Sequence, residues 1–404
     1  MGKNLHAIIP AGGAGTRLWP LSRADHPKFL LPLTHPDRSM LTQTVARLSP
    51  LCDSITIVTG AHHAQAVGEH ARDAIAGEDT TLEILVEPCG RNSMPAIALA
   101  AERIRARCGD DALVASFAAD HTFADEDVLR GCVQVAMQAA GTGEHLVTLG
   151  VEPTYAATGF GYIKPASPAV DDASNDHDTA AKVDSDFSRV DTAAMVDSDF
   201  CGASTAAAGA TAVDAFVEKP DAATATGFVQ QGYLWNAGIF VATAGYLHRA
   251  LRTHLPALAA DLTELAASWL QMDDTSREVR WSQLPSIAID YALAEPEAEA
   301  GRVLVVPLPA NAGWADVGDL TALEKYQHPF HADVTVVEAQ NVSAYVGGRE
   351  EKPGWEPAHI SVVGVDDCIV VQTPDGIVIT STQAAQSVGK LPAILRDSGR
   401  TDLL

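Results

Sequence analysis

The sequence predicts an α/β fold: a mostly parallel central sheet with helices on both faces, followed by a small C-terminal β-rich domain. Three observations carry that prediction. From Leu5 to about Gly150, short apolar runs alternate with helical patterns, the mark of βαβ units. A glycine-rich turn follows the first apolar run at once, on the edge of the sheet where such folds bind ligands. After about Gln327 the pattern changes to short β runs. The expected division is therefore 1–327 and 328–404, the second part a domain of about 75 residues packed on the first.

The first strand is Leu5 to Ile9. The stretch Ile8-Ile9-Pro10-Ala11-Gly12-Gly13-Ala14-Gly15-Thr16-Arg17-Leu18-Trp19-Pro20-Leu21-Ser22-Arg23 leads out of it, and Pro27-Lys28-Phe29 follows. Gly12, Gly13 and Gly15 carry no side chains, so their amides can approach and point at phosphate oxygens. Arg17 adds a fork of donors and Lys28 a compact positive charge. The run is not a P-loop, because no Gly-Lys-Ser/Thr closes it. Nor is it a dinucleotide loop, since the third glycine position falls on Leu18. It reads as a triphosphate cradle; a plain surface turn would gain nothing from Arg17 and Lys28 at these offsets.

Strands are expected at Ser54–Thr59, Thr81–Val86, Ala112–Phe117 and His145–Leu149, and helices at Met40–Leu48, His62–Ile75, Ser93–Cys108 and Asp125–Ala140. In the third helix Ile97, Ala101, Ile104 and Cys108 form one buried stripe. The loop Glu87-Pro88-Cys89-Gly90-Arg91-Asn92-Ser93 leaves a strand and opens that helix. Asn92 or Ser93 can cap it, with Pro95 in the first turn. A capped loop accounts for Asn92 but not for Glu87 or Arg91, and a carboxylate there could accept from the donor edge of a purine. Asp120, directly after the run Phe117-Ala118-Ala119, lies on the same ligand edge. It can hold Mg²⁺ as a hard carboxylate or serve as a turn or N-cap residue.

Residues 159–164 and 213–220 read as two strands. Between them, 166–211 is expected to be a flexible acidic insertion: from Val170 to Phe200 it holds nine Asp against one Lys and one Arg, and Val-Asp-Ser-Asp-Phe occurs twice, at 183–187 and 196–200. The spacing does not fit a Ca²⁺ loop. Glu218-Lys219-Pro220 ends the next strand, and Trp235-Asn236-Ala237-Gly238 opens another. Leu247–Leu270 reads as a helical hairpin broken near Pro256, Ser286–Ala294 as a short helix carrying Asp290, and Val303–Val306 as a strand. Gly313-Trp314-Ala315-Asp316-Val317-Gly318 then puts a second Asp on a glycine-bounded loop. Short β runs follow at Val334–Glu338, Val342–Val346, Ile360–Val365, Cys368–Gln372 and Gly376–Thr380, then a helix signal over Gln383–Leu395.

The net charge of −25 disfavours nucleic acid and anionic membranes as partners. The basic groups Arg17, Arg23 and Lys28 are expected to sit together while the acids are spread elsewhere. Six scattered cysteines without a CxxC pair argue against zinc and a disulfide framework. With no apolar run long enough for a membrane and no signal peptide evident, a cytoplasmic location is expected.

With these pieces on the page, the chain resembles the sugar-nucleotide pyrophosphorylases, and within them the mannose-1-phosphate guanylyltransferases. GGAGTRLWPLSR with PKFLLPL resembles the signature. EPCGRNSMPAIALAA, AADH, GFGYI, FVEKP, WNAGIFV, SIAIDYALAE and GWADVGDL are similar to further motifs, in family order. Phe29 replaces a common Gln and Ala118 a common Pro, and neither change removes a charge. Longer bifunctional relatives add an isomerase domain, for which no room is expected here.

The resemblance implies a Rossmann-like nucleotidyltransferase domain, GTP and mannose 1-phosphate as substrates, and Mg²⁺. It implies Arg17 on the leaving phosphates and Lys28 on the α-phosphate, with Gly15 and Thr16 in the nucleotide loop. Gly12, Gly13, Glu87 and Asn92 would face guanine or its ribose. Asp120 and Asp316 would hold Mg²⁺; converging there, they would repel each other unless a cation sat between them. Lys219 would grip the sugar phosphate, and Glu218, Asn236 and the Gly161 backbone would meet sugar hydroxyls. Asp290 either orients that site or is a helix-surface residue. A homodimer through the C-terminal domain is a further expectation. The rival readings are a pyrophosphorylase for another sugar or base, a non-catalytic binder, which would be expected to lack one of these charged groups, and an acidic interaction module, which leaves the glycine loop unexplained.

Overall fold

Strand β1 (Leu5–Ala11) is buried along almost its whole length, and its side chains divide between two cores. Ile8 faces one; Leu5, Ala7, Ile9 and Ala11 face the other. A strand apolar on both faces must be covered on both, which is why its sequence is a continuous apolar run rather than an alternation. The computed structural model describes residues 4–13, 15–166, 209–326, 328–348 and 354–404.

β1 pairs in parallel with β2 (Ser54–Gly60) and β4 (Leu113–Ser116), and β2 with β3 (Thr81–Glu87). The short β5 (His121–Thr122) stands apart from this sheet. β6 (Leu146–Val151), β7 (Tyr162–Pro165), β8 (Thr211–Val217), β9 (Leu234–Thr243) and β10 (Val303–Leu308) complete nine strands in the order β3-β2-β1-β4-β9-β6-β10-β8-β7. β8 and β9 run against the rest. β7 returns to pair with the start of β9, so the last five strands close on themselves. The carboxyl ends of the parallel strands form one edge, and the glycine turn leaves β1 there.

Helices α1 (Met40–Leu48), α2 (Ala64–Ala74), α3 (Ser93–Cys108) and α4 (Glu126–Ala140) fall where the periodicity predicts, but Cys108, expected to close the buried stripe of α3, is exposed at its last turn. Ser39 caps α1 through Thr42 N and Asp125 caps α4 through Asp127 N and Val128 N. α5 (Ala222–Gln230) follows β8. The expected hairpin is α6 (Ala244–His254) and α7 (Pro256–Ser268), broken because Pro256 opens the second helix. α8 (Asp274–Ser282), which the sequence reading did not anticipate, covers the same face, and its Trp281 is fully buried against Trp269. The helix expected over Ser286–Ala294 is a π-helical turn, Asp290–Ala294, that runs into α9 (Glu295–Glu299).

The acidic insertion, with its repeated pentapeptide, lies outside the described residues. Its ends are described: β7 and β8 are antiparallel partners, and Ala166 N donates to Ala212 O at 2.8 Å. The insertion therefore joins the strands of one hairpin, and Thr211 belongs to β8 rather than to the insertion.

β11 (Ala315–Asp316) pairs antiparallel with β5, setting Asp316 opposite His121. The C-terminal strands β12 (Val334–Val337), β13 (Val342–Val346), β14 (Ile360–Val363), β15 (Cys368–Thr373) and β16 (Gly376–Ser381) follow. β12 stacks in parallel on β14 and β13 on β15, each partner 26 residues away: Val334 with Ile360, Val342 with Cys368. The corners repeat too, with positive φ at Glu338 and Asn341 in one coil and at Gly364 and Asp367 in the next. These are two coils of a β-solenoid. The expected helix over Gln383–Leu395 is a 3-10 segment, Thr382–Lys390, followed by α10 (Leu391–Asp397).

A third apolar cluster joins this region to the first. It contains Leu18, Trp19 and Leu21 from the glycine-turn stretch, Val317 and Leu320, and Tyr345, Ile369, Val371, Val378, Val388 and Leu403.

Candidate active site

The glycine turn is shaped as its residues require. Gly12 and Gly13 are exposed, and Gly13 has φ +91°. Gly15 has φ +65°, and a Cβ there would overlap the Lys28 Cβ, so no other residue fits. A single 3-10 turn, Thr16–Leu18, follows, with Ser22 Oγ donating to Gly15 O at 2.7 Å. Thr16 and Arg17 are exposed, and the Arg17 guanidinium has no hydrogen bond or ion pair among the described residues.

The stretch then changes role. Trp19 Nε1 donates to Leu403 O at 2.9 Å. Arg23 is buried, donates to the same carbonyl and pairs with Asp375 at 2.7 Å. This corrects the expectation that Arg17, Arg23 and Lys28 form one basic patch. Arg23 anchors the C-terminal region and is unavailable to a ligand.

Lys28 is buried, and its Nζ lies 2.7 Å from Asp120 Oδ2 and 2.6 Å from Asp316 Oδ1. The acids are thus not all elsewhere. Two converge on the ligand edge, and the cation between them is Lys28 itself. Burial alone would lower the lysine's pKa, but the two carboxylates outweigh it and raise it. Burial likewise pushes Asp316 up, and Lys28, His121 and Arg17 together hold it below the usual carboxylate range. β5 and β11 fix this geometry. Trp314 Nε1 donates to His121 Nδ1 at 3.3 Å, and burial keeps the His121 imidazole below its ordinary pKa against the pull of Asp316 and Asp120. The ion pairs use Oδ2 of Asp120 and Oδ1 of Asp316, and among the described residues no hydrogen bond or ion pair engages the second oxygen of either. Hard carboxylate oxygens suit Mg²⁺. Among the described residues no group of three or more His, Cys, Asp or Glu could hold a metal, so an ion here would take its remaining ligands from water or a bound phosphate.

Glu87 ends β3 opposite Gly60, buried, with Oε2 lacking any partner among the described residues. Its Oε1 lies 3.8 Å from where a Gly12 Cβ would be, so it borders the glycine turn. Burial pushes its carboxyl up to about 7. Asn92 has φ +64° and its side chain accepts from Ser93 N at 2.8 Å, the local capping role. Arg91 reaches away, donating to Ser282 O.

Across the edge, β9 leaves β4 and joins β7 around Gly238, where φ is +67°. Asn236 sits in that gap. Its Oδ1 accepts from Thr148 Oγ1 (2.9 Å) and Gly238 N (3.1 Å), and its Nδ2 donates to Asp290 Oδ1 (2.9 Å). Its amide orientation is fixed, leaving one N–H for a ligand. Of the Gly161 backbone, expected to face a sugar, the carbonyl accepts from Asn236 N at 2.8 Å. A Cβ on Gly161 would overlap the Glu218 carboxylate, so glycine is needed for that close approach. Glu218 is paired with Lys219, which has φ +47°, and Glu218 N donates to Glu295 Oε1 at 3.3 Å. Asp290 is no helix-surface residue. Burial, then the nearby Glu218, pushes it up to about 6.

Sequence reasoning missed an aromatic wall between these two groups. Trp235 meets Tyr155 and Phe160 edge-on at 4.9 and 5.1 Å, and Phe160 meets Trp314 at 5.5 Å. Trp235 and Trp314 lie inside quoted motifs, which was the available signal. Tyr155 stands on a loop with no pattern to mark it.

A family model described as Nucleotidyl transferase matches residues 6–183 and 192–332. The Xanthan biosynthesis protein XanB of Xanthomonas campestris is 34% identical, the match covering 98% of this chain and 74% of that protein. The mannose-1-phosphate guanylyltransferase of Escherichia coli is 33% identical with the same coverage. The crystal structure of a mannose-1-phosphate geranyltransferase from Thermus thermophilus superposes with a TM-score of 0.70 at 26% identity, covering 97% of this chain and 99% of that one. The matched ranges span the glycine turn, both aspartates and the β9 gap, and the chain belongs to the nucleotidyl transferase family, among its mannose-1-phosphate guanylyltransferases.

Proposed function

We propose that the chain transfers GMP from GTP to α-D-mannose 1-phosphate, giving GDP-mannose and pyrophosphate. The observation that carries this reading is the meeting, on one edge of the sheet, of an arginine unpartnered among the described residues beside a glycine turn, two aspartates bridged by a lysine, and the cluster of Asn236, Asp290, Glu218 and Lys219. A phosphate oxygen of the sugar 1-phosphate attacks the α-phosphorus, a new P–O bond forms, and the bond to the bridging oxygen breaks with its electron pair on pyrophosphate. Such transfer asks for positioning and charge neutralisation rather than a covalent catalyst.

The amides of Gly12, Gly13 and Gly15, with Thr16, cradle the triphosphate. Arg17 takes the departing phosphates with its free fork of donors. Lys28 has two of its three N–H groups on Asp120 and Asp316 and turns the third to the α-phosphate, where charge grows in the transition state. Glu87 accepts from the donor edge of guanine, and Asn92 shapes the loop beside it. Lys219 exchanges its contact with Glu218 for the sugar phosphate, freeing Glu218 for a hydroxyl. Asn236 offers its remaining N–H, held in place by Asp290. Mg²⁺ on Asp120 and Asp316, when bound, neutralises phosphate oxygens.

We further infer a division near residue 327 between the sheet and the solenoid, a homodimer through the C-terminal region, and a cytoplasmic setting where both substrates occur. Among the described residues no helix is long and apolar enough to cross a membrane. Release of pyrophosphate, measured across GTP, ATP, UTP and dTTP with mannose 1-phosphate and glucose 1-phosphate, tests the substrate reading. GTP with mannose 1-phosphate is expected to be the best pair. A preference for glucose 1-phosphate or another base would replace it with a different pyrophosphorylase.

A further inference from the structure

Arg17 is exposed, carries no ion pair among the described residues, and still occupies a defined position. What holds it comes from far along the chain. The 3-10 segment Thr382–Lys390 lies across the Thr16–Leu18 turn. A Cβ on Gly389 would sit 3.1 Å from Arg17 Cγ, 3.5 Å from Thr16 Oγ1 and 3.7 Å from Arg17 N. On its other side the guanidinium borders the loop after β11, where a Cβ on Gly318 would sit 3.8 Å from Arg17 Nη1. The arginine thus runs between two glycines, Gly318 of the loop after β11 and Gly389 of the 3-10 segment.

The same segment also grips the loop after β11. Gln386 Nε2 donates to Asp319 Oδ2. Asp319 uses its other oxygen on Thr321 N at 2.9 Å and so caps the 3-10 turn Leu320–Lys325. Val388 from this segment and Val317 from the loop share one apolar cluster with Leu18. One nine-residue segment therefore touches both the arginine turn and the loop that follows Asp316.

We propose that the Thr382–Lys390 segment of the solenoid region is part of the nucleotide site, with Gly389 and Gln386 acting as positioning residues that hold Arg17 against the Asp316 loop. The long, flexible Arg17 side chain loses rotamer freedom before a ligand arrives, and an unpaired guanidinium fixed by packing meets phosphate at lower entropic cost. The solenoid is then a working part of the enzyme rather than an appended module. This rests on the reading that Arg17 contacts the triphosphate.

The test is steady-state kinetics of GDP-mannose formation, with a melting curve, for Gly389→Ala, Gly389→Val, Gln386→Ala, Arg17→Ala and Asp375→Asn. Gly389 does not have positive φ, so its substitution acts through space rather than backbone strain. Gly389→Val is expected to raise the KM for GTP about tenfold or more, as displacement of a substrate-holding group does, with the KM for mannose 1-phosphate within about twofold. Gly389→Ala should fall between it and the parent protein, and Gln386→Ala should shift the same constant. Asp375→Asn, which loosens the solenoid at Arg23 instead, should lower the melting temperature without a GTP-selective change. If Arg17→Ala raises the KM for GTP but neither Gly389→Val nor Gln386→Ala does, the proposal fails and the nucleotide reading stands. If Arg17→Ala leaves it unchanged, the nucleotide reading itself falls. Equal rises in both KM values, tracking the loss of thermal stability, would reduce the segment to a structural support and overturn the proposal. Should Gly389→Val not fold, Gln386→Ala and Gly389→Ala decide alone.

Discussion

The two sides of the candidate site are built on opposite plans. On the side proposed for the nucleotide, polar groups lack partners among the described residues: Arg17 is unpaired, Glu87 Oε2 is buried without a hydrogen bond, and Gly12 and Gly13 are exposed. On the sugar side nearly every polar group is already satisfied. Asn236 makes three hydrogen bonds, Gly161 O is occupied, and Glu218 and Lys219 hold each other. A ligand on the first side supplies bonds the protein lacks. On the second it must exchange one partner for another, which costs affinity but selects geometry, because a buried polar group left unpaired is expensive. Between them stands Lys28, with Asp120 and Asp316, and the sharpest test of the contrast starts there.

Lys28→Met should have the largest effect. It removes the cation from between two partly buried carboxylates. Turnover is expected to fall by about a hundredfold or more, and stability by about 3 kcal/mol, as for a broken buried ion pair. Because the two carboxylates would then lack a cation, Mg²⁺ should raise the melting temperature of the variant more than that of the parent. A melting curve of Lys28→Met indifferent to Mg²⁺ would mean that the aspartates do not form a cation site. Asp120→Asn and Asp316→Asn should each lower turnover by about a hundredfold. Since each removes a Lys28 partner, both should also lower stability, the reverse of what mutual repulsion between two bare carboxylates would give.

Next in size is the contrast between Arg17 and Lys219. Lys219→Ala should raise the KM for mannose 1-phosphate by about ten- to a hundredfold with little change for GTP, because the sugar phosphate is held in ground and transition states alike. It also releases Glu218, which then faces Asp290 and Glu295 without its cation, so the variant should melt lower than the parent protein, and that difference should grow as pH rises through about 6, where Asp290 ionises. A sugar-phosphate KM that does not move would take Lys219 out of the site.

Much of this was legible in the sequence because local rules decide it. Strand and helix positions through α4 follow from apolar runs and periodicity, and the break at Pro256 from the ring's missing N–H. The sequence marks Gly15 as a residue whose amide can approach a ligand, while its crowding by Lys28 is seen only in the structure. What could not be read depends on partners distant in sequence. Arg23 looks like Arg17 by type and spacing, yet it ends on Asp375 and the Leu403 carbonyl, 352 and 380 residues away. Nothing local distinguishes an arginine that waits for phosphate from one that closes a domain contact. The solenoid's 26-residue repeat was present as Val-Thr-Val-Val against Ile-Ser-Val-Val, but two copies of so short a pattern do not stand out from ordinary strands. The pairing of Lys28 with both aspartates required knowing that β5 and β11 meet.

The smallest expected effect, and the one that isolates the nucleotide side, belongs to Glu87. Its carboxyl sits near 7 in the folded protein against 4.5 in the free residue, because burial disfavours the charge. Between those values the folded state holds a proton that the unfolded chain has released. Stability from this group is therefore full below about 4.5 and is lost as pH rises through about 7. Glu87→Gln cannot ionise, so it should melt a few degrees above the parent protein at pH 8, with the gain vanishing near pH 4.5. Guanine binding asks the opposite of this residue, since only the carboxylate can accept from both the ring N1–H and the exocyclic amino group. Affinity for GTP should thus rise from pH 6 to pH 8 in the parent protein, by roughly tenfold at most, and the rise should be absent in Glu87→Gln. Melting curves and GTP titrations at four pH values would read both slopes. A stabilised Glu87→Gln that retains the parent's pH-dependent GTP affinity would show that the buried carboxylate is only a cost to the fold, and that guanine is read by some other group on this edge.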